Sequence, residues 1–155
     1  MSNSAIDKMR KVLIVDDNYK NIELAVSLLQ GEDYEIAIAG SGVEVLSILE
    51  EFIPDLILLD VMMPEMDGYE VCRRLKSNEN YKDIPVVFLT AKSELEDILQ
   101  GFRVGGVDYI KKPFNQDELL MRVKTHVDLK KTMELVKLQN IEKSALLSIT
   151  AHDLK

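Results

Sequence analysis

Three aspartates in this 155-residue chain stand directly after apolar runs. Asp60 follows the unbroken run Leu56–Leu59, and Asp16 and Asp17 follow the run Val12–Val15. A short continuous apolar run is typical of a strand buried on both faces of a parallel sheet, and such sheets place ligand sites beside the carboxyl ends of their strands. Clustered carboxylates resist ionising together unless a cation neutralises them, and Mg²⁺ prefers carboxylate oxygens. The pattern therefore predicts a Mg²⁺ site at one edge of a sheet.

Asp60 alone also fits a simpler interpretation. Aspartate often ends a strand and starts a turn, and Pro64 and Gly68 are turn residues that follow closely. A second strand also ends in acids, at Asp16 and Asp17. This favours the metal site over the simpler interpretation, because two parallel strands can bring their terminal acids together.

Apolar runs and helical patterns alternate five times along the chain. The predicted strands cover residues 11–16, 34–39, 56–59, 84–89 and 107–110. Residues able to cap helices precede four of the five helical patterns, namely Asn18, Asp67, Ser93 and Asn115. This alternation predicts an α/β fold, a parallel sheet covered by helices on both faces through right-handed crossovers.

The composition limits the class of partner. A net charge of −8 and a pI near 4.8 argue against direct contact with nucleic acid, because phosphate binding needs basic surface. No apolar run approaches the roughly 18 residues of a membrane span, and the N-terminus lacks a signal-peptide pattern, so we expect no membrane partner. The single cysteine, Cys72, suits a reducing cytoplasm and a buried structural role.

The last 41 residues form a separate pattern. Residues 115–155 contain neither proline nor glycine, which predicts a helix that leaves the domain. We therefore expect a lead-in at 1–10, a domain at 11–122 and an extended helix at 123–155. At helical spacing, one apolar stripe gathers seven side chains: Val127, Leu135, Leu138, Ile141, Ala145, Leu146 and Ile149. Such a stripe needs a partner, and a coiled-coil homodimer is the simplest hypothesis.

Four motifs at successive strand ends resemble those of a response-regulator receiver domain over about residues 9–122. They are Asp16-Asp17, Asp60, Thr90-Ala91 and the segment 109–114, Tyr-Ile-Lys-Lys-Pro-Phe. The resemblance implies a flavodoxin-like sheet with strand order 2-1-3-4-5. Gly106 departs from the pattern, since alanine is more usual there.

The resemblance implies a phosphoryl-accepting switch that catalyses its own phosphorylation and dephosphorylation. Asp60 would take the phosphoryl group from a phosphohistidine-bearing partner and become an acyl phosphate. Asp17 and Asp60 would bind Mg²⁺ directly, Asp16 through water, and Met62 through its backbone carbonyl; Mn²⁺ would substitute for Mg²⁺. Phosphoryl transfer needs alignment and charge neutralisation, which a metal and an ammonium group supply.

Three further residues receive roles from the resemblance. Thr90 and Lys112 would hold the phosphoryl oxygens. Lys112 is assigned rather than Lys111 because the family's lysine precedes a proline, here Pro113, and Lys111 is expected to be solvated. Tyr109 would be the switching aromatic that moves with Thr90, although a half-buried strand tyrosine is an equally good interpretation.

The final segment, residues 148–155, resembles the start of the phosphoacceptor helix of a histidine kinase. His152 followed by Asp153 would be a second phosphoacceptor there. A receiver followed by this helix favours a hybrid histidine kinase cut short, without its ATP-binding domain. One alternative is a free-standing regulator that acts by protein contact. A Mg²⁺-dependent aspartyl phosphatase ranks lower, because such enzymes need a second acid where this chain has Met62.

Overall fold

The computed structural model describes residues 9–92 and 94–153, with side chains as far as residue 145. Its five strands form one parallel sheet in the order β2-β1-β3-β4-β5. The strands are β1 (Arg10–Val15), β2 (Tyr34–Ala39), β3 (Leu56–Asp60), β4 (Val86–Thr90) and β5 (Asp108–Lys111). The predicted strand order is confirmed. β4 begins two residues later than predicted, after Pro85, which has no N–H to give to a ladder.

The helices lie between and after the strands. They are α1 (Tyr19–Leu29), α2 (Gly42–Ile48), α3 (Gly68–Lys76), α4 (Leu95–Arg103) and α5 (Gln116–Asp153). Asn18 and Asp67 cap α1 and α3 through their side chains as predicted, and Asn115 accepts a hydrogen bond from the backbone N–H of Glu118. The predicted cap Ser93 lies outside the described residues; Glu94 stands at the N-cap of α4.

Both faces of the sheet are covered, as the alternation predicted. One face packs on α1 and the first turns of α5, where Leu119 and Val123 are buried. The other face packs on α2 and α3, with Val45 and Cys72 among its buried side chains. All five residues of β3 are buried, which explains why its sequence is apolar without alternation.

Gly106, the residue that departs from the family pattern, makes room for the aromatic ring of Phe88. A Cβ at position 106 would lie 2.5 Å from the Phe88 ring and 2.9 Å from the Gly101 carbonyl oxygen. Phe88 is fully buried and its ring stacks obliquely on Tyr69, with centroids 5.4 Å apart. The large residue on β4 thus occupies space that an alanine at position 106 would need.

We predict that Gly106→Ala destabilises the fold, because the buried Phe88 ring has to move. The expected decrease in the free energy of unfolding is about 1 to 3 kcal/mol, measured by urea denaturation. Gly40→Ala is the matched control, since a Cβ there meets only the Glu44 carboxylate at 3.7 Å. Equal stability of the two variants would contradict this account.

The long helix α5 is continuous across the predicted boundary at residue 122. Val127, assigned above to the free stripe, is 2% exposed and packs in the core beneath the sheet. That assignment was wrong, because residue 127 shares a helix face with the buried Leu119 and Val123. Leu135, Leu138 and Ile141 are more than half exposed, whereas the side chains of residues 146 and 149 lie outside the described residues. Within the described chain, no helix has the length and hydropathy needed to cross a membrane.

Candidate functional site

The three strand-end aspartates meet at the carboxyl edge of the sheet. Asp60 ends β3, Asp16 and Asp17 follow β1, and the two strands are neighbours. Carboxylate oxygens of the three residues lie within 4.8 Å of one another. Asp16 and Asp60 are buried, whereas Asp17 is exposed, so the cluster opens to solvent on one side.

Lys112 enters this cluster from the segment after β5. Its Nζ lies 2.7 Å from Asp16 Oδ2 and 3.2 Å from Asp60 Oδ1, and its side chain is only 16% exposed. The backbone N–H of Lys112 donates to the Thr90 carbonyl at 2.9 Å, which fixes the segment against β4. Lys111 is exposed, in agreement with its prediction.

Thr90 and Tyr109 lie next to each other beside the cluster. Thr90 ends β4 and is fully buried, and its Oγ1 accepts a hydrogen bond from the backbone N–H of Lys92 at 3.1 Å. The Tyr109 hydroxyl donates to the carbonyl oxygen of the same Lys92. Burial raises the pKa of Tyr109, although a hydrogen bond with Thr90 opposes that rise. One backbone segment therefore joins the threonine to the tyrosine.

Burial and a like charge make Asp60 an unusually weak acid. Burial and the neighbouring Asp16 carboxylate raise its pKa to about 6, even though Lys112 lowers it. One lysine therefore does not fully offset the combined effect of burial and of the neighbouring carboxylates on Asp60. A second cation in the cluster would lower the cost of ionising Asp60.

The raised pKa predicts a specific pH dependence of stability. Between its ordinary pKa of 3.8 and about 6, the folded chain holds a proton on Asp60 that the unfolded chain has lost. Asp60 is thus expected to lower the free energy of unfolding as pH rises through this window, by about 2 to 3 kcal/mol. Urea denaturation of the parent and Asp60→Asn across this range, with a chelator present, isolates the effect. If the difference in the free energy of unfolding between the two proteins does not change with pH, the pKa of Asp60 is not raised.

Gly68 positions the loop that follows β3. It donates its backbone N–H to the Val61 carbonyl at 2.8 Å, and a Cβ there would lie 2.2 Å from the Asp60 carbonyl oxygen. Only glycine therefore lets α3 start against the strand end that carries the acid. The sequence identifies Gly68 as a turn residue at a helix start, but it does not contain the close approach, which depends on how the loop folds back.

A cavity of about 380 Å³ lies beside Asp17 at the surface of the cluster. Met62, Asp67 and Lys92 contribute to its lining. The three loop methionines differ: Met62 is 60% exposed, Met63 is buried and Met66 packs near Gly42. Met62 therefore stands at the mouth of the site, whereas Met63 and Met66 pack against the core.

The donor set suits a small, hard divalent cation. Carboxylate oxygens are the ligands that Mg²⁺ takes, at about 2.0 to 2.1 Å, and it commonly keeps several waters. Oxygens within 4.8 Å of one another can reach such an ion with little movement, and the exposed side at Asp17 leaves room for water. The residues present therefore fit Mg²⁺.

The fold and the cluster define a class: flavodoxin-like α/β domains with an acidic pocket at the carboxyl edge of a 2-1-3-4-5 sheet. Within that class, the chain belongs to the response regulator receiver domain family, whose sequence model matches residues 12–124. Two solved structures are similar. A putative response regulator from Chloroflexus aurantiacus has a TM-score of 0.75 and 36% identity, covering 78% of this chain and 99% of its own.

The second solved structure is the signal receiver domain of a signal transduction histidine kinase from Syntrophus aciditrophicus. Its TM-score is 0.71 at 35% identity, covering 77% of this chain and 90% of that one. Among curated proteins, the DNA-binding response regulator MtrA of Mycobacterium tuberculosis is 40% identical over 123 residues, which are 79% of this chain and 53% of MtrA.

The chain thus spans about half the length of the curated relatives it matches first. Because those relatives are DNA-binding regulators, they lend no support to the expectation that nucleic acid is excluded as a partner. They also do not confirm the expectation that this receiver continues into a histidine kinase. What the comparisons establish is the receiver domain of two-component signalling.

Proposed function

We propose that Asp60 is the phosphoacceptor of this receiver and that its donor is a phosphohistidine on a partner protein. The observation that carries the proposal is the contact of Lys112 with both Asp16 and Asp60 beside the exposed Asp17. An Asp60 oxygen attacks phosphorus, the P–N bond to the imidazole breaks, and the bonding pair returns to the ring nitrogen, which takes up a proton. The product is an acyl phosphate on Asp60.

The neighbouring side chains supply alignment and charge. Asp16, Asp17, Asp60 and the Met62 carbonyl would hold Mg²⁺, which when bound neutralises charge on the phosphoryl oxygens. Lys112 supplies the second positive charge, since its ammonium group already lies between two carboxylates. Thr90 would offer its hydroxyl as a third contact, since it ends the neighbouring strand β4.

The same geometry supports a role for Thr90 and Tyr109 as the switch. Both side chains hydrogen-bond the backbone of Lys92: the Thr90 hydroxyl oxygen accepts from the Lys92 N–H, and the Tyr109 hydroxyl donates to the Lys92 carbonyl oxygen. Movement of Thr90 toward a phosphoryl group on Asp60 would disturb this segment and release Tyr109 to repack. The face formed by α4, β5 and α5 would then change by a shift between two packings.

The test is phosphoryl uptake by the chain from a small-molecule donor such as acetyl phosphate. Intact-mass measurement should show one phosphoryl adduct with Mg²⁺, a similar adduct with Mn²⁺, and none with a chelator. Uptake that is unchanged by the chelator would overturn the assignment of the acidic cluster to a metal.

For the parent protein, we propose a hybrid histidine kinase in a reducing cytoplasm, with this receiver in its N-terminal part. A histidine kinase receiver among the similar structures supports this, and so does the continuous helix through Asp153. The His152 side chain, the proposed second phosphoacceptor, lies outside the described residues. The DNA-binding relatives favour the alternative, a response regulator with a different output. Coding sequence downstream of Lys155 decides: a kinase domain supports the proposal, and a DNA-binding domain or a stop codon refutes it.

Whether a kinase domain or a DNA-binding domain follows, we propose that the 155 residues of this chain contact no nucleic acid, since their net charge of −8 opposes phosphate binding. Any DNA contact would belong to another domain. A shift of labelled duplex DNA by this chain at physiological salt would refute that.

We further propose that the chain forms a homodimer through the exposed half of α5. Three members of the apolar stripe there are more than half exposed: Leu135, Leu138 and Ile141. Burying them against a second copy removes this surface from water. A monomeric mass by light scattering at micromolar concentration would contradict the proposal.

A further inference from the structure

A second set of three aspartates lies at the opposite, amino edge of the sheet. Asp55 immediately precedes β3, Asp83 lies three residues before β4, and Asp108 is the first residue of β5. We call these three residues the base aspartates. Asp55 is tied to the sheet, because its Oδ2 accepts from the Lys11 N–H at 2.8 Å. Asp108 accepts from the N–H of Tyr109 at 2.8 Å.

Four basic side chains on one face of α5 point to the base aspartates. Their spacings of four, four and seven residues place them in line along the helix. We call them the basic face: Arg122, His126, Lys130 and Lys137. Other lysines of the helix, at 124, 131 and 143, are exposed on other faces.

Asp108, the base aspartate nearest the buried part of α5, makes the shortest contacts with the basic face. Arg122 lies 2.8 Å from both carboxylate oxygens of Asp108, and His126 Nε2 lies 2.8 Å from Asp108 Oδ2. Burial alone would raise the pKa of Asp108, but hydrogen bonds from His126 and Arg122 hold it below its ordinary value. Asp108 and His126 side chains are 17% and 13% exposed, so solvent screens this contact only partly.

Two further ion pairs continue along the helix, beyond the last buried apolar residue, Val127. Lys130 Nζ lies 3.8 Å from Asp55 Oδ1 with both side chains largely buried, and Lys137 Nζ lies 3.5 Å from Asp83 Oδ2 with both exposed. A single exposed pair is worth little, but three contacts spread over fifteen residues, about 22 Å of helix, resist tilting about any one of them.

We infer that the base aspartates form a dock for the basic face of α5, which fixes the direction of the exposed half of this helix relative to the sheet. The described part of the apolar stripe beyond Val127 does not do so, because Leu135, Leu138 and Ile141 are each more than half exposed. Asp108 stands at one end of the four-residue β5 and Lys112 directly follows the other end. The strand that carries the site lysine therefore also holds the helix. The dock is a property of the unphosphorylated chain and does not depend on the phosphoryl chemistry.

Distance measurement between two spin labels tests the dock. Glu51→Cys and Gln139→Cys place labels on exposed positions of the domain base and the helix. Cys72 is fully buried, so the chain without introduced cysteines serves as the labelling blank. Dilution with unlabelled chain removes distances between copies. The parent should give one narrow distance peak.

Two variants with equal loss of charge separate the dock from general electrostatics. Lys130→Gln with Lys137→Gln should lose the narrow peak and give a broad distribution, while Arg122 and His126 keep the fold anchored. Lys131→Gln with Lys143→Gln should retain the parent's peak. Salt of about 1 M should broaden the parent's peak, because the Debye length falls to about 3 Å. A narrow, unshifted peak in the first variant, at an unchanged unfolding midpoint, would overturn the dock.

Discussion

Asp60→Asn is expected to take up no phosphoryl group from a small-molecule donor in the presence of Mg²⁺. The amide has nearly the same shape as the carboxylate but cannot form the acyl phosphate. The variant should remain folded, because it removes an acid whose ionisation is opposed by burial and by Asp16. Intact-mass measurement after incubation with acetyl phosphate gives the result directly.

Asp33→Asn is the matched control for this loss. Asp33 is exposed in the turn that precedes β2, so it lies at the amino edge of the parallel sheet, opposite the acidic cluster, and the chemical change is identical. The control should take up the phosphoryl group to the parent's extent. A phosphoryl adduct on the Asp60 variant would place the acceptor elsewhere and end the assignment.

Lys112→Met is expected to lower the free energy of unfolding by about 3 kcal/mol near pH 8 in a chelator. The variant leaves Asp16 and Asp60 buried without the ammonium group that contacts both. A buried charge left without its partner costs far more than an exposed pair contributes. The loss should be smaller near about pH 5, where Asp60 takes a proton, and Mg²⁺ should reverse part of it.

The neighbouring lysine provides the control for that experiment. Lys111→Met removes the same charge from an exposed side chain and should change stability by only a few tenths of a kcal/mol. Adding Asp60→Asn to Lys112→Met should recover stability, because one of the two stranded carboxylates disappears. Equal losses in the two single lysine variants would show that Lys112 is not the counter-ion of the cluster.

The sequence alone was sufficient for the sheet and for the list of acids in the site. Each buried strand is a short apolar run, because both faces are covered, and that signal is local. Aspartates directly after two such runs had to lie at one edge, because parallel strands present their carboxyl ends together. The caps at Asn18 and Asp67 were equally local, since the side chain bonds a backbone N–H two or three residues away.

The tertiary structure decided what depends on contacts between distant residues. Lys112 donates a hydrogen bond to Asp16, which is 96 residues away in the sequence. Gly106 lies against the ring of Phe88, and no helical or strand pattern in the sequence predicts that contact. Val127 turned out to be core, because the point where α5 leaves the sheet follows from strand length and packing and not from the helix pattern. The ion pairs of the base aspartates likewise depend on the tertiary structure, because they form only where α5 packs against the amino edge of the sheet. Local patterns record which side chains are buried or cap an element, whereas three-dimensional packing determines which of them touch.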